Sequence, residues 1–273
     1  MQLRLEDTIE RFGLLSTGDR ILVAASGGKD STACLQILNS LYQDVEAITI
    51  DASIGKYSLE NLDNIRKFCK ENSIRLHVVS FRQEFGSSLC YLQSVLKSRG
   101  LRLNSCAVCG ILKRYLINRK ARELKKTVVA TGHNLDDESQ SILMNILRSN
   151  LELLARLGPV SGVTSSKKFI RRVKPLYFVL EKEIVDYSVK MDFPVKYSRC
   201  PCASDAYRNS VRNLLNDYES RHPGAKRNIV SYFMRRLPKL KQFNGEIASC
   251  ESCGEASTNR FCRTCEILYR NLK

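Results

Sequence analysis

The chain has 273 residues, 43% of them hydrophobic and 26% charged, with 14 Gly and 6 Pro, the composition of a folded protein of about two domains. A collagen-like, low-complexity or disordered chain is excluded, and no stretch approaches the roughly 18 consecutive apolar residues of a membrane span. The net charge of +16 is unevenly placed: residues 1–100 carry 12 basic and 12 acidic side chains, and residues 101–273, with 32 and 16, hold the whole surplus.

Residues 1–12, MQLRLEDTIERF, place acids and a helical period where a secretory signal would carry an apolar block, so a cytoplasmic protein is expected. RILVAAS (20–26) reads as a buried strand and KDSTACLQILNSLY (29–42) as an amphipathic helix. A second strand, VEAITID (45–51), precedes a helix over 58–73, and RLHVVSF (75–81) is a third strand. Helical stretches follow in SLCYLQSVLKS and in AVCGILKRYLINRKARELK (107–125). TVVATG (127–132) is a fourth strand, with a helix over 135–150, and FIRRVKPLYF (169–178) reads as a fifth, edge-type strand. Strands separated by helices predict an α/β fold with a doubly wound parallel sheet. After about residue 200 the alternation stops. Two basic helices, 206–220 and 226–237, flank a stop at HPG (222–224), and a charged linker leads into a cysteine-rich tail. The expected division is 1–203, 204–242 and 243–273. No internal repeat is present.

The segment Ser26-Gly27-Gly28-Lys29-Asp30-Ser31 lies between the first strand and its helix. Ligands of doubly wound sheets bind at the carboxyl ends of strands. Two glycines there let the backbone approach an anion, the helix N-terminus cradles phosphate, and Ser26, Ser31 and Lys29 add donors and charge. Asp30 suits loop orientation or a magnesium ion. GxxxxGK[ST] is absent, so this is not a Walker loop.

Eleven cysteines in a chain without a signal peptide argue against a disulfide framework and for metal or catalytic roles wherever they cluster. Cys34, Cys69 and Cys90 stand alone among apolar neighbours and read as core packing. Cys106 and Cys109, at i and i+3 near a helix start, face one way. The helix N-terminus with Lys113, Arg114, Arg99 and Arg102 should favour their thiolates. Cys200 can complete a three-thiolate set, which fits either a zinc with an open position or a 4Fe–4S cluster with one unligated iron. Cys250-x2-Cys253-x8-Cys262-x2-Cys265 has the spacing of a structural zinc ribbon.

SGGKDS, Asp51-Ala-Ser-Ile-Gly55-Lys-Tyr57, Cys106-Ala-Val-Cys109-Gly with Lys113-Arg114-Tyr115, Thr131-Gly132-His133-Asn134-Leu-Asp136-Asp137-Glu138, Arg156-Leu-Gly-Pro159 and Cys200-Pro201 occur in that order. The combination resembles the TtuA/TtcA family of tRNA 2-thiolation enzymes, PP-loop ATP pyrophosphatases of the adenine nucleotide alpha-hydrolase (HUP) fold. It is closest to the TtuA and archaeal/eukaryotic wobble-uridine branch and covers nearly the whole chain. The resemblance implies cleavage of ATP to AMP and pyrophosphate at the loop, with Lys113 and Asp137 catalytic; Gly132 and His133 are candidates for contact with the nucleotide, and a satisfied strand-end histidine is an equal reading of His133. It implies the 4Fe–4S cluster at Cys106, Cys109 and Cys200, with persulfide chemistry as the runner-up. Asp136, Asp137 and Glu138 open a helix, where acids also serve as caps; paired with Asp51 they are expected magnesium ligands.

The basic surplus, in Lys167, Lys168, Arg171, Arg172, Lys174, Arg208, Arg212, Lys226, Arg227, Arg235, Arg236, Lys239 and Lys241, is the expected phosphate-contacting set for tRNA. Tyr207, Tyr232 and Phe233 could stack on bases, but apolar helix faces are the preferred reading. Two features depart from the branch. Its members usually carry an amino-terminal zinc ribbon, whereas here the first helix begins at once, and Cys202 stands where an aromatic usually follows Cys-Pro. Cys202 could compete with Cys200 or act as an auxiliary thiol; Cys200 is the expected ligand.

The expected activity is ATP-dependent tRNA uridine 2-thiolation, with sulfur from a small thiocarboxylated carrier protein or from sulfide. By resemblance a homodimer is plausible. The rivals are a zinc-ribbon tRNA-binding protein without turnover, a persulfide-based thiolase, a TtcA-like cytidine thiolase, and a lysidine-forming pyrophosphatase, which would not need the cysteines.

Overall fold

The computed structural model describes residues 1–101, 103–161, 169–195, 200–202, 206–240 and 248–270. Six strands build the main sheet: β1 (Ile21–Ala24), β2 (Val45–Asp51), β3 (Leu76–Ser80), β4 (Val128–Thr131), β5 (Val160–Ser161) and β6 (Arg171–Val173). Their order is β3-β2-β1-β4-β6-β5, parallel except for β5, which pairs antiparallel with β6. The chain runs outward from β1 to β3 and then returns to place β4 on the other side of β1. The switch point between β1 and β4 is therefore where such a sheet binds ligands.

Strand β1 shows why both faces are covered. Ile21 and Val23 join one apolar cluster and Leu22 the other, and all three are fully buried, as alternating side chains of a central strand must be. The first face is covered by α1 (Gln2–Phe12), α2 (Lys29–Leu41), α3 (Gly55–Glu71) and α9 (Glu181–Lys190) through Leu5, Leu35, Phe68 and Ile184. Across the sheet, α4 (Phe81–Phe85), α5 (Leu89–Ser98) and α6 (Ser105–Glu123) contribute Phe81, Leu92 and Leu112. A third cluster joins α7 (Leu135–Leu147), α8 (Leu151–Ala155) and α11 (Ala225–Leu240) through Ile142, Leu154 and Phe233. Between α9 and α11 lies α10 (Ala206–Arg221), and His222-Pro223-Gly224 separates the last two helices as expected. Among the described residues, no helix is long and apolar enough to cross a membrane.

The strand expected over 169–178 shrinks to Arg171–Val173 and is not the edge. Pro175 cannot continue a strand ladder, and the chain turns there to send Tyr177 into the third cluster. The edge falls to β5. Helix α9, which the sequence reading did not find, starts with a box in which Glu183 accepts from the Leu180 N–H at 3.2 Å.

Two buried ion pairs hold the later helices to the sheet. Lys226 of α11 bonds Asp136 of α7 and, at 2.6 Å, Asn216 of α10, while Asp136 also accepts from the Glu181 N–H at 2.7 Å. Lys174 meets Glu138 at 2.7 Å. Asp136 is satisfied by several partners, whereas Glu138 sets one oxygen on Lys174 and leaves the other, buried, without a hydrogen-bond partner among the described residues; either acid buried without its lysine would cost several kcal/mol.

The tail forms a small hairpin, β7 (Ala248–Ser249) with β8 (Ala256–Ser257), followed by α12 (Arg263–Cys265) and a π-helical turn over Glu266–Arg270. It docks on α6. Glu255, buried, accepts from Asn118 at 2.9 Å and pairs with Arg122, and Ile267 is fully buried in the α5/α6 cluster.

Candidate active site

The loop 26–31 sits at the switch point, and its shape follows from its glycines. Gly27 has φ +82, and a β-carbon on it would lie 2.1 Å from the Asn61 carbonyl oxygen of α3. Gly132, just after β4, would meet the Ser31 nitrogen at 2.7 Å. The loop is thus held between α3 and the end of β4. Ser26 donates its N–H to the Ser31 hydroxyl at 3.0 Å, and the two hydroxyls lie 3.2 Å apart. Gly28 caps α2 without a side-chain bond to its first amides, which leaves that positive helix end to receive an anion.

Lys29 bridges Asp30 at 2.9 Å and Glu181 at 2.7 Å. Burial opposes its charge, but the two carboxylates outweigh burial and raise its pKa. Asp30 is raised by burial despite Lys29, and Asp137 adds a like charge; Asn134 donates to it at 3.0 Å. Asp137 closes a capping box with Asn134 and is itself raised by burial, against the pull of Arg208. Asp30, Asp137 and Glu181 therefore form one acidic group beside the loop.

This grouping corrects the sequence reading of α7. Asp136 and Glu138 are spent on Lys226 and Lys174 and are not open to magnesium. Asp51 lies elsewhere, at the end of β2, where it accepts from the Ser53 N–H at 2.7 Å and lines the cysteine cavity. Glu181 was missed because it stands 151 residues from Asp30 and no motif marks it.

That cavity, of about 280 Å³, is lined by Ser26, Asp51, Tyr57, Cys106, Cys109, Lys113, Cys200 and Cys202, among others. The phosphate loop and the three expected thiols thus share one wall-to-wall space. The α6 start that carries Cys106 and Cys109 is fixed by Asn104, whose side chain accepts from the Ala107 N–H at 2.7 Å. Cys106 Sγ lies 3.7 Å from the Cys202 carbonyl oxygen. The expected thiolate character does not extend to Cys109: burial raises its pKa, and Lys113 and Arg114 only partly offset that. Cys90, expected in the core, is exposed, with its sulfur 3.8 Å from that of Cys202. Cys34 and Cys69 are buried, as expected, and burial lifts their thiols to about 12 and about 11.

His133 follows β4 and bonds Thr131 at 2.9 Å. The side chain is exposed; desolvation by its surroundings, then the charges of Lys174, Arg208, Arg114 and Arg172, hold its imidazole below the ordinary range, which favours the neutral form near pH 7.

The four tail sulfurs, of Cys250, Cys253, Cys262 and Cys265, lie within 4.8 Å of one another, the one such group of three or more metal-binding side chains among the described residues. Backbone N–H groups of Cys262 and Cys265 point at Cys250 and Cys262 at 3.2 and 3.5 Å. Burial opposes ionisation of Cys250, but donors from Cys262, Cys253 and Ser252 outweigh it and bring its thiol down to about 6. Four sulfurs with amide support fit a tetrahedral zinc.

Of the cations expected on phosphate, Lys174 and Lys226 are buried in ion pairs and Arg171 pairs with Asp19 at 2.9 Å. Lys167, Lys168 and Lys241 lie outside the described residues. Arg235, Arg236 and Lys239 are exposed on α11, where Arg236 covers the Tyr232 ring at 5.3 Å. Phe233 is core, and the Tyr207 ring carries Arg148 at 4.0 Å.

A family model described as a PP-loop domain matches residues 1–218. The tRNA-5-methyluridine(54) 2-sulfurtransferase of Pyrococcus horikoshii is 35% identical over 96% of this chain and 83% of its own. Cytoplasmic tRNA 2-thiolation protein 1 of Laccaria bicolor is 31% identical over 98% and 76%. Among solved structures, the U34-tRNA thiolase NcsA from Methanococcus maripaludis, with its 4Fe–4S cluster, superposes with a TM-score of 0.82 at 28% identity, covering 97% of this chain and 85% of that one.

Proposed function

The chain belongs to the PP-loop family and, within it, to the tRNA 2-thiolation proteins, and we propose that it adenylates the C2 oxygen of a tRNA uridine and replaces that oxygen with sulfur. The observation that carries this reading is the shared cavity, which joins Ser26 of the phosphate loop to Cys106, Cys109 and Cys200. Activation and substitution must act on the same base carbon, so nucleotide and sulfur sites have to meet.

ATP lies with its phosphates on Gly27, Gly28, Ser31 and the α2 N-terminus, near Gly132 and neutral His133. Asp30 and Asp137 are the carboxylates that would hold a magnesium ion, which would screen phosphate charge, and Asp51 would serve from the cavity side. The uridine C2 oxygen attacks the α-phosphorus, and pyrophosphate leaves. Lys113, on the cavity wall, stabilises the negative charge that develops. AMP then departs as sulfur takes its place at C2.

Cys106, Cys109 and Cys200, which line the cavity together with Cys202, are the residues that would hold a 4Fe–4S cluster, and three thiolate ligands would leave one iron without a protein ligand. When bound, that cluster supplies a place for the sulfur to be transferred. Zinc belongs to the four tail cysteines and is structural. Residues 1–203 form the catalytic unit, 204–242 the tRNA-binding helices, and 243–273 the ribbon. Sulfur arrives from a small carrier protein or as sulfide, and the protein works in the cytoplasm.

The test follows 2-thiouridine in tRNA together with AMP and pyrophosphate release, using anaerobically purified protein with ATP and sulfide. Wild type yields all three. Cys106→Ala loses 2-thiouridine; thiolation by that variant at the wild-type rate would overturn the reading, and a protein that binds tRNA without AMP release would be a binding module instead.

A further inference from the structure

Three of the cavity thiols are accounted for by the thiolation reading, and two nearby are not. Helix α5 begins where the Leu89 N–H bonds the Ala52 carbonyl at 3.1 Å, and Ser88 caps it through the Tyr91 N–H at 3.3 Å. That start turns Leu89 into the cavity wall and leaves Cys90, the next residue, exposed on the outside. Cys202 lines the cavity from its own side, and its sulfur is 3.8 Å from Cys90 Sγ. A chain of sulfur atoms therefore runs from solvent, through Cys90 and Cys202, to the space lined by Cys106, Cys109 and Cys200. A disulfide between them would bring this separation down to roughly 2.05 Å.

Chemistry narrows what such a pair does. Sulfide and thiocarboxylate carry sulfur already reduced, and neither needs a second dithiol. A persulfide carries sulfane sulfur, which must gain two electrons before it can replace a uridine oxygen. Two adjacent thiols supply two electrons by becoming a disulfide, and transient catalytic disulfides occur in reducing compartments.

We propose that Cys90 and Cys202 form a dithiol that takes sulfane sulfur from an external persulfide donor and releases it as hydrosulfide at the cysteine cavity. The Cys90 thiolate attacks the outer sulfur of the donor persulfide, the donor leaves as its thiolate, and Cys90 carries the new S–S bond. The Cys202 sulfur then attacks Cys90 Sγ. The bond to the outer sulfur breaks, and that sulfur departs as hydrosulfide with the Cys202 proton. Sulfane sulfur is reduced by two electrons and the cysteine pair is oxidised to a disulfide. An external dithiol reductant restores the pair by exchange. The proposal rests on the thiolation reading only for what becomes of the hydrosulfide.

The test treats anaerobic holoprotein with glutathione persulfide, without tRNA or ATP, so that failure of the thiolation reading leaves its outcome unchanged. Wild type should release hydrosulfide and become about 2 Da lighter, with the new disulfide mapping to Cys90 and Cys202. Cys202→Ser should stop one step earlier, about 32 Da heavier at Cys90, with hydrosulfide release lost. Cys90→Ser, at an exposed position, should lose both the adduct and the release, yet thiolate tRNA at the wild-type rate when sulfide is the donor. Hydrosulfide release by Cys90→Ser at the wild-type rate, or a disulfide that maps only to Cys106, Cys109 or Cys200, would overturn the proposal.

Discussion

A β-carbon at position 27 would stand 2.1 Å from a backbone oxygen of α3, at a φ of +82, so both space and backbone strain oppose any side chain there. Gly27→Ala should keep the far-ultraviolet spectrum of the fold and weaken ATP binding about tenfold or more, since about 1–2 kcal/mol is the cost of a left-handed alanine alone; calorimetric titration with ATP measures it, and unchanged affinity would contradict the tight approach. His133 makes a different demand. The fold holds its imidazole well below the ordinary 6.5 that it keeps in the unfolded chain. Below 6.5 the unfolded chain binds a proton that the folded site refuses, so stability falls as pH drops from 6.5 toward 3. His133→Asn removes that proton uptake. Urea midpoints should show wild type losing ground to the variant as pH falls through this window, and a difference constant from pH 7 to pH 4 would contradict the cation-ringed placement. The loop glycines were legible from six consecutive residues because phosphate binding needs them adjacent. The cations around His133 were not, because Lys174, Arg208 and Arg114 come from three separate segments.

Helix α6 connects the two cysteine groups. Its first turn carries Cys106 and Cys109, Lys113 follows on the cavity wall, and its far end grips the tail through Asn118 and Arg122 on Glu255. Four sulfurs within 4.8 Å of one another give the tail little else to fold around, since its own core comprises those cysteines and Phe261. Stripping the metal proposed for these four sulfurs with a chelator should therefore release Glu255 and Ile267 together and uncover α6. Hydrogen exchange read by mass spectrometry should show faster exchange over residues 115–123 after chelation, with peptides from β1 unchanged; equal protection in both states would mean that the tail holds without metal. At this scale the sequence reading did well where period and cap coincide, as at α2 and α7. It failed at β6 and at α9. The run FIRRVKPLYF has strand residues throughout, but Pro175 and the burial of Tyr177 in a distant cluster end the strand after three. Cys90 misled for a similar reason: Leu89, Leu92 and Leu96 are buried, so the helix is amphipathic, and the cysteine falls on its outer face.

Charge is a property of the whole molecule, and the fold sorts it. The neutral first hundred residues build the outer half of the sheet, while the surplus of the later residues divides between inward and outward roles. Lys174 and Lys226 neutralise buried acids, and replacing Lys226 with Met would leave the buried Asp136 carboxylate without its cation at a cost of about 3–5 kcal/mol, seen as a lower urea midpoint rather than as weaker RNA binding. Arg235, Arg236 and Lys239 are exposed on α11, and Arg236 stacks on the Tyr232 ring at 5.3 Å. Among the described residues those three have no carboxylate partner to lose, so their removal should leave stability nearly unchanged. On a polyanion each phosphate contact releases counterions, and the slope of log K against log salt shrinks by roughly 0.7–0.9 for each contact removed. The triple variant Arg235→Ala, Arg236→Ala, Lys239→Ala should bind tRNA more weakly at low salt, with a slope shallower by about 2 to 3, and hydrolyse ATP without tRNA at the wild-type rate. A slope equal to that of wild type would place the tRNA elsewhere, on Arg227 and the segments that flank residues 206–240, and would separate the basic face of α11 from the substrate path.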